Sequence, residues 1–408
     1  MKNLFLVFLF SISFQSYSQK ITDTIVSQKL REDREFTVSL PESYAKNKTK
    51  KYPVLVLLDG DYLLDPFQGA LNYGAYWDDL PEVIIVGISQ NKKEERYSDC
   101  TFDSETGLLE GKGERFFEFI GLELLPYIEK TYRIAPFKII AGHDVTAGFL
   151  NFYLYKDQPL FDAYISLSPE FPPQMEEIIP KRLLAINQPI FYYQATADGD
   201  MKNTKKRIIK LDSAIATIKK PNLNYLFDNF KGASHYSLVL HAIPNALYQF
   251  FGVYQPISVS EFNEKIAILP SGYVDYLIKK YDVIEKSFAI KMPIRVNDFK
   301  AIEAAIIKNK TYNELDALSN LAQKNYPKSM LADYELGLMF EKLGDNKKAL
   351  KSYQIAYQKD EIGNLTKDMM LDKVDDLKKG FTKNGKEIKS ETPIPEPTTE
   401  TIQEEKKP

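Results

Sequence analysis

The chain has 408 residues, 44% of them hydrophobic, and 53 basic against 56 acidic side chains leave a formal net charge of -3. That length exceeds one minimal domain and allows a large core plus a smaller unit, while the weak net charge gives no global attraction to nucleic acid or to an anionic membrane. The lone cysteine, Cys100, excludes an intramolecular disulfide and a cysteine-rich metal centre. Its neighbours Asp99 and Thr101 offer no activating base, so it reads as a passive thiol, and nothing else in the chain calls for a metal or a cofactor.

In chain order, Met1, Lys2 and Asn3 precede an apolar run from Leu4 to Phe14 that is too short to span a bilayer comfortably. Ser16 and Ser18 then supply small residues where a signal peptidase reads. A signal peptide over residues 1–18 is expected, with export to the periplasm or beyond a Gram-negative cell. No cysteine stands at the cleavage point to carry a lipid, and no second long apolar run suggests a membrane span in the mature chain.

From Thr24 to Leu40 the polarity alternates, as exposed antiparallel strands do. Tyr52–Leu58 and Val83–Ile88 are continuous β-branched and aliphatic runs, the mark of strands buried on both faces. Phe116, Phe117, Ile120, Leu124, Leu125 and Ile128 recur at helical spacing within 113–132. Strands are predicted at Phe137–Ala141, Phe161–Leu167 and Pro189–Ala195, with a helix over Ala147–Tyr155. Strands alternating with helices imply a three-layer α/β sandwich with a mostly parallel sheet over residues 19–255.

Residues 256–382 lose the strand signal and read as helices. Leu336, Gly337, Phe340, Ala349, Tyr353 and Ala356 stand at tetratricopeptide-like spacing within 330–360, with a turn at Gly344 and Asp345. Small residues Gly337, Ala349 and Ala356 would let the two helices cross closely. Flanking helices at 296–323 and 366–379 would complete such an isolated pair, making this region a surface for a protein partner. Residues 383–408 are rich in Lys, Glu, Thr and Pro and should be disordered.

The segment Ile140 to Gly148 reads as a strand entering a sharp turn, the elbow on which a hydrolase mounts its serine in a G-x-S-x-G pattern. Gly142 is kept, but Asp144 stands at the nucleophile position and Thr146 at the second glycine. Of the three histidines, His235 lies in a glycine-containing loop after a strand at 224–227, where a base belongs. His241 should sit within the next helix as a packing residue, and His143 should pack beneath the turn. The loop after Ala195 offers Asp198 first and Asp200 second as the acid behind His235; a solvated Asp-Gly turn is the plain alternative. The order Asp144, Asp198, His235 follows nucleophile, acid, histidine.

These and further segments resemble the esterase D and enterochelin esterase-like family of α/β-hydrolases. The resemblance is carried by Val38–Tyr44, Tyr52–Asp61, Ile85–Ile88, Arg96–Asp99, Glu123–Arg133, Gly142 with His143, Leu160 with Phe161, and Leu167–Pro169. It implies an α/β-hydrolase fold, carboxylic-ester hydrolysis, an ester-like ligand in the cleft, and an oxyanion hole from backbone N–H groups near Asp61 or Tyr62 and at Val145. It also implies His235 as base, Asp198 as its orienting acid and residue 144 as nucleophile, a position at which the family has serine.

Asp144 disturbs that inheritance, because a carboxylate attacking a carbonyl would form an anhydride while its charge opposes the developing oxyanion. Three readings remain: a non-catalytic binding module or scaffold; an aspartate nucleophile acting at an sp3 carbon, as in epoxide hydrolases and haloalkane dehalogenases, with His235 activating water; or water activated by Asp144 or His235 without a covalent intermediate. Chemistry favours the first.

Overall fold

The computed structural model describes residues 20–383 except residue 93. The expected signal peptide and the tail beyond residue 383 lie outside the described residues. The described residues fold as two units, one of residues 20–77 with 81–250 and one of residues 78–80 with 251–383. The join was expected near Gln255, but Phe251 already belongs to the second unit, where its ring meets that of Phe288 at 5.1 Å.

The first unit is built on an eight-stranded sheet: β1 (Lys20–Ser27), β2 (Glu32–Ser39), β3 (Tyr52–Leu57), β4 (Ile84–Ile88), β5 (Ile134–His143), β6 (Ala163–Leu167), β7 (Ile190–Ala197) and β8 (Leu223–Phe230). Their order in the sheet is β1-β2-β4-β3-β5-β6-β7-β8. β1 and β2 pair antiparallel, as does β2 with β4, and every other pairing is parallel. The sequence explains the split: β3 and β4 are apolar throughout and wholly buried, whereas edge strand β1 alternates and stays largely exposed. Phe36, Val54, Val56, Ile84, Val86, Phe116, Ile120, Leu124 and Ile140 belong to the core cluster.

The region 113–132 is helical as the spacing predicts, but it is interrupted: Gly111–Phe119 passes through a π-helical turn at Ile120–Leu124 before Leu125–Thr131. The chain runs from β3 to β4 on one side and then returns to place β5 on the other. The carboxyl ends of β3 and β5 are therefore neighbours at a topological switch point, where open α/β sheets form their crevice. Asp59 leaves β3 there and Asp144 leaves β5.

The second unit holds helices Tyr273–Phe288, Val296–Lys308, Glu314–Asn325, Leu331–Leu343, Asn346–Tyr357 and Lys367–Lys383. The flank expected as one helix over 296–323 is two. Gly344 at φ 82 ends Leu331–Leu343, and Asp345 caps the next helix by accepting the Lys348 N–H at 3.1 Å. Gly337, Ala349 and Ala356 are buried. At Gly337 the close neighbour is aromatic, since a Cβ there would lie 2.6 Å from Tyr353 Cε1. Within this unit Arg295 Nε also holds Asp78 Oδ2 at 2.5 Å.

Candidate functional site

β5 ends at His143, and the elbow helix Val145–Phe149 follows Asp144 directly. Asp144 takes φ 62 and ψ -120, a strained conformation for a residue with a Cβ. Three backbone hydrogen bonds hold it: its N–H donates to Leu167 O at 2.9 Å, and its carbonyl accepts from Gly148 and Glu170, each at 3.0 Å. The turn remains an elbow that presents residue 144 above the sheet.

Its carboxylate meets Arg96, whose Nη1 lies 3.2 Å from Asp144 Oδ2. The same guanidinium donates through Nε to Asp59 Oδ1 at 2.7 Å and through Nη2 to His143 O at 2.7 Å. Asp59 is fully buried. Burial raises its carboxyl above the usual range, and Arg96 opposes that rise. Arg96 comes from the short helix Glu95–Ser98, which Asp99 anchors: Asp99 Oδ2 accepts from buried Arg34 Nη1 at 2.5 Å and from Gln90 Nε2 at 3.0 Å.

Thr146, the bulky departure at the elbow, has a structural use. Its hydroxyl lies 2.6 Å from Asp59 Oδ2 and 2.9 Å from His143 O, and it accepts the His143 N–H at 3.0 Å. His143 packs beneath the turn as expected: Nδ1 is 3.1 Å from Tyr62 Oη and Nε2 is 3.1 Å from the carbonyl of His235. A carbonyl only accepts, so Nε2 carries the proton in the neutral ring, while the Tyr62 hydroxyl donates to Asp59 Oδ2 at 3.0 Å. Burial, then the neighbouring His235, lowers His143 to about 4.

His235 Nδ1 lies 2.7 Å from Asp200 Oδ1. Burial alone would raise Asp200, but His235, the Thr196 hydroxyl, the Ala197 N–H and Ser168 outweigh it and hold the carboxyl at about 2. The hydrogen bond to Asp200 in turn raises His235, burial opposes this, and the Asp144 charge adds to it. Among the described residues no hydrogen bond joins His235 to Asp144.

The first choice for the acid, Asp198, must be corrected. It is exposed and bonded to Lys205 Nζ at 2.7 Å and to the Gly232 N–H at 2.9 Å, because its loop turns that side chain outward. Asp200, the second choice, is the residue that meets His235. Tyr62 also fails as a backbone oxyanion donor, since its N–H is spent on Asp59 O at 3.1 Å. Asp61 and Val145 stand at helix starts, where an N–H has no intrahelical acceptor. His241 lies in the helix Leu238–Phe250 but is exposed, stacking on Phe230 at 5.6 Å. The side chains of Arg96, Asp59 and Ser168 were given no role from the sequence. Arg96 stood within a family segment, and Ser168 follows the end of a predicted strand, which were the available signals.

A mostly parallel sheet with a strained elbow at its switch point and a His–Asp pair beside it defines an α/β-hydrolase fold. The family profile described as "Putative esterase" matches residues 27–206. An uncharacterised protein from Capnocytophaga ochracea is 31% identical, the match covering 88% of this chain and all of that one, with a TM-score of 0.79. An IroE-like serine hydrolase from Shewanella oneidensis is 21% identical over 75% of this chain and 99% of its own, at 0.57. The BES protein from Bacillus cereus is 22% identical over 56% and 94%, at 0.50. No curated protein matches. This chain belongs to that esterase family.

Proposed function

We propose that this protein is an esterase-fold member whose cleft binds a ligand without turning over acyl esters. The observation that carries this reading is the Arg96–Asp144 ion pair on the elbow. Where the family holds serine, this chain presents a carboxylate that Arg96 engages and that shares no hydrogen bond with His235. Acyl transfer needs an oxygen the base can deprotonate and an ester that water can then open. Loss of a triad nucleophile costs roughly six orders of magnitude in turnover. The direct assay uses short acyl nitrophenyl esters with wild type and Asp144→Ser. Hydrolysis by wild type that His235→Ala abolishes would overturn the proposal; a trace gained only in Asp144→Ser supports it.

A second reading makes Asp144 a nucleophile at an sp3 carbon, with His235 activating the water that releases the alkyl ester. The kept elbow strain and the 2.7 Å His235–Asp200 pair favour it. Against it, Arg96 draws electron density from the attacking oxygen. In the wider proposal the chain is exported and its C-terminal helices, tetratricopeptide-like in spacing, engage a protein partner. A mature N-terminus at Gln19, and co-purification of an envelope protein that is lost on deleting 256–408, test those two points. Among the described residues no helix is long and apolar enough to cross a membrane.

A further inference from the structure

Beside the elbow lies a cavity of about 270 Å³ whose walls include Tyr97, Phe102, Val145, Phe149, Glu170 and Pro172. Its sides are fixed to the framework already described. Glu170 is pinned to the elbow by its N–H to Asp144 O, and a Cβ on Gly148 would lie 1.9 Å from Glu170 O, an approach only glycine permits. Tyr97 comes from the short helix that Asp99 anchors to Arg34.

Three aromatic residues and a proline give the cavity an apolar lining, so its occupant needs an apolar body. Charge then selects the other end. Arg96 is already engaged by Asp59 and Asp144, and Arg207 by Glu176 at 2.6 Å. The Glu170 carboxylate, in contrast, takes no hydrogen bond or ion pair among the described residues. Partial desolvation, then the nearby Asp144 charge, pushes its carboxyl up, while Arg207 and Arg96 oppose the rise from a distance. An anion entering here would meet the Glu170 carboxylate, whereas a cation gains from that carboxylate and from the aromatic rings.

We propose that this cavity binds the ammonium group of a small amine with an apolar body, with Glu170 as counter-ion and Tyr97, Phe102 and Phe149 as its aromatic lining. The assignment rests on reading the cleft as a binding site and names its ligand class.

The test is calorimetric titration of the intact protein at neutral pH with benzylammonium, benzyl alcohol and benzoate. Benzylammonium should bind saturably and the other two at least roughly tenfold more weakly. Glu170→Gln should lose about tenfold for the amine, and Tyr97→Ala should weaken it as well. Both side chains are exposed, so neither change threatens folding. No amine binding, equal binding of the alcohol or the acid, or undiminished binding by Glu170→Gln would overturn the assignment. Such a failure with esters still unhydrolysed removes the ligand class alone; ester turnover by wild type instead removes the non-catalytic reading.

Discussion

Arg96 and Asp144 form an ion pair at 3.2 Å on an elbow that keeps its positive φ, and the other side of the same guanidinium holds the buried Asp59 at 2.7 Å. One arginine thus ties the carboxyl ends of β3 and β5 together across the switch point. The site is organised around this charged cluster.

Arg96→Ala should therefore act on stability as well as on the cleft. Asp59 would remain fully buried without its cationic partner, and breaking a buried pair in this way costs about 3–5 kcal/mol. Urea unfolding of the variant beside wild type reads this directly. A loss below about 1 kcal/mol would show that water or rearrangement replaces Arg96.

His235 and Asp200 should be linked in titration. His235 sits above its ordinary value, so its stabilising contribution is complete below the unfolded value and is lost as pH rises through the folded one. Asp200, held at about 2, contributes above its unfolded value and loses that as pH falls toward about 2. Asp200→Asn should move the NMR-detected His235 midpoint downward. Asp198→Asn should leave it nearly in place, since Asp198 faces Lys205. A large shift in Asp198→Asn alone would reverse the corrected assignment.

That pairing marks where sequence reading stopped. β3 and β4 were legible because burial on both faces writes an unbroken apolar run, and the elbow was legible because a strand, a glycine and a helix flank Asp144. The choice between Asp198 and Asp200 had no such period behind it. It is made by a turn that aims the Ala197 N–H and the Thr196 hydroxyl at Asp200. Arg96 reaches Asp144 across 48 residues and Arg34 reaches Asp99 across 65, so neither pair has a local signature.

The helical unit should lose stability as pH rises. Glu335 is fully buried, with no hydrogen-bond partner for either carboxylate oxygen, and it interacts with Glu303 on Val296–Lys308. Burial raises both carboxyls, and for Glu335 the Glu303 charge adds to it. Tyr334, Lys300, Lys342 and Lys373 act on Glu303 in the opposite sense. A raised carboxyl binds its proton more tightly in the folded state, so stability is complete below the unfolded value and falls as pH climbs through the folded one. Glu335→Gln should remove part of that slope and stabilise the protein by roughly 1–3 kcal/mol at alkaline pH. Denaturant melts across pH check it; a slope unchanged in the variant would place the titration elsewhere.

Gly337→Ala should destabilise the helix pair by about 1–3 kcal/mol, because the new Cβ would fall 2.6 Å from the buried Tyr353 ring. Thermal unfolding followed by circular dichroism reads the loss. A neutral effect would mean that Tyr353 moves aside freely.

The measurement closest to the central claim is intact-protein mass spectrometry of His235→Ala after incubation with acyl esters, an organophosphonate, an epoxide and a haloalkane. Any covalent intermediate on residue 144 should persist in this variant, since the group that would activate water is gone. No added mass on Asp144 is expected with any of the four. An alkyl adduct mapped to Asp144 would contradict it and establish an aspartate-nucleophile enzyme in its place.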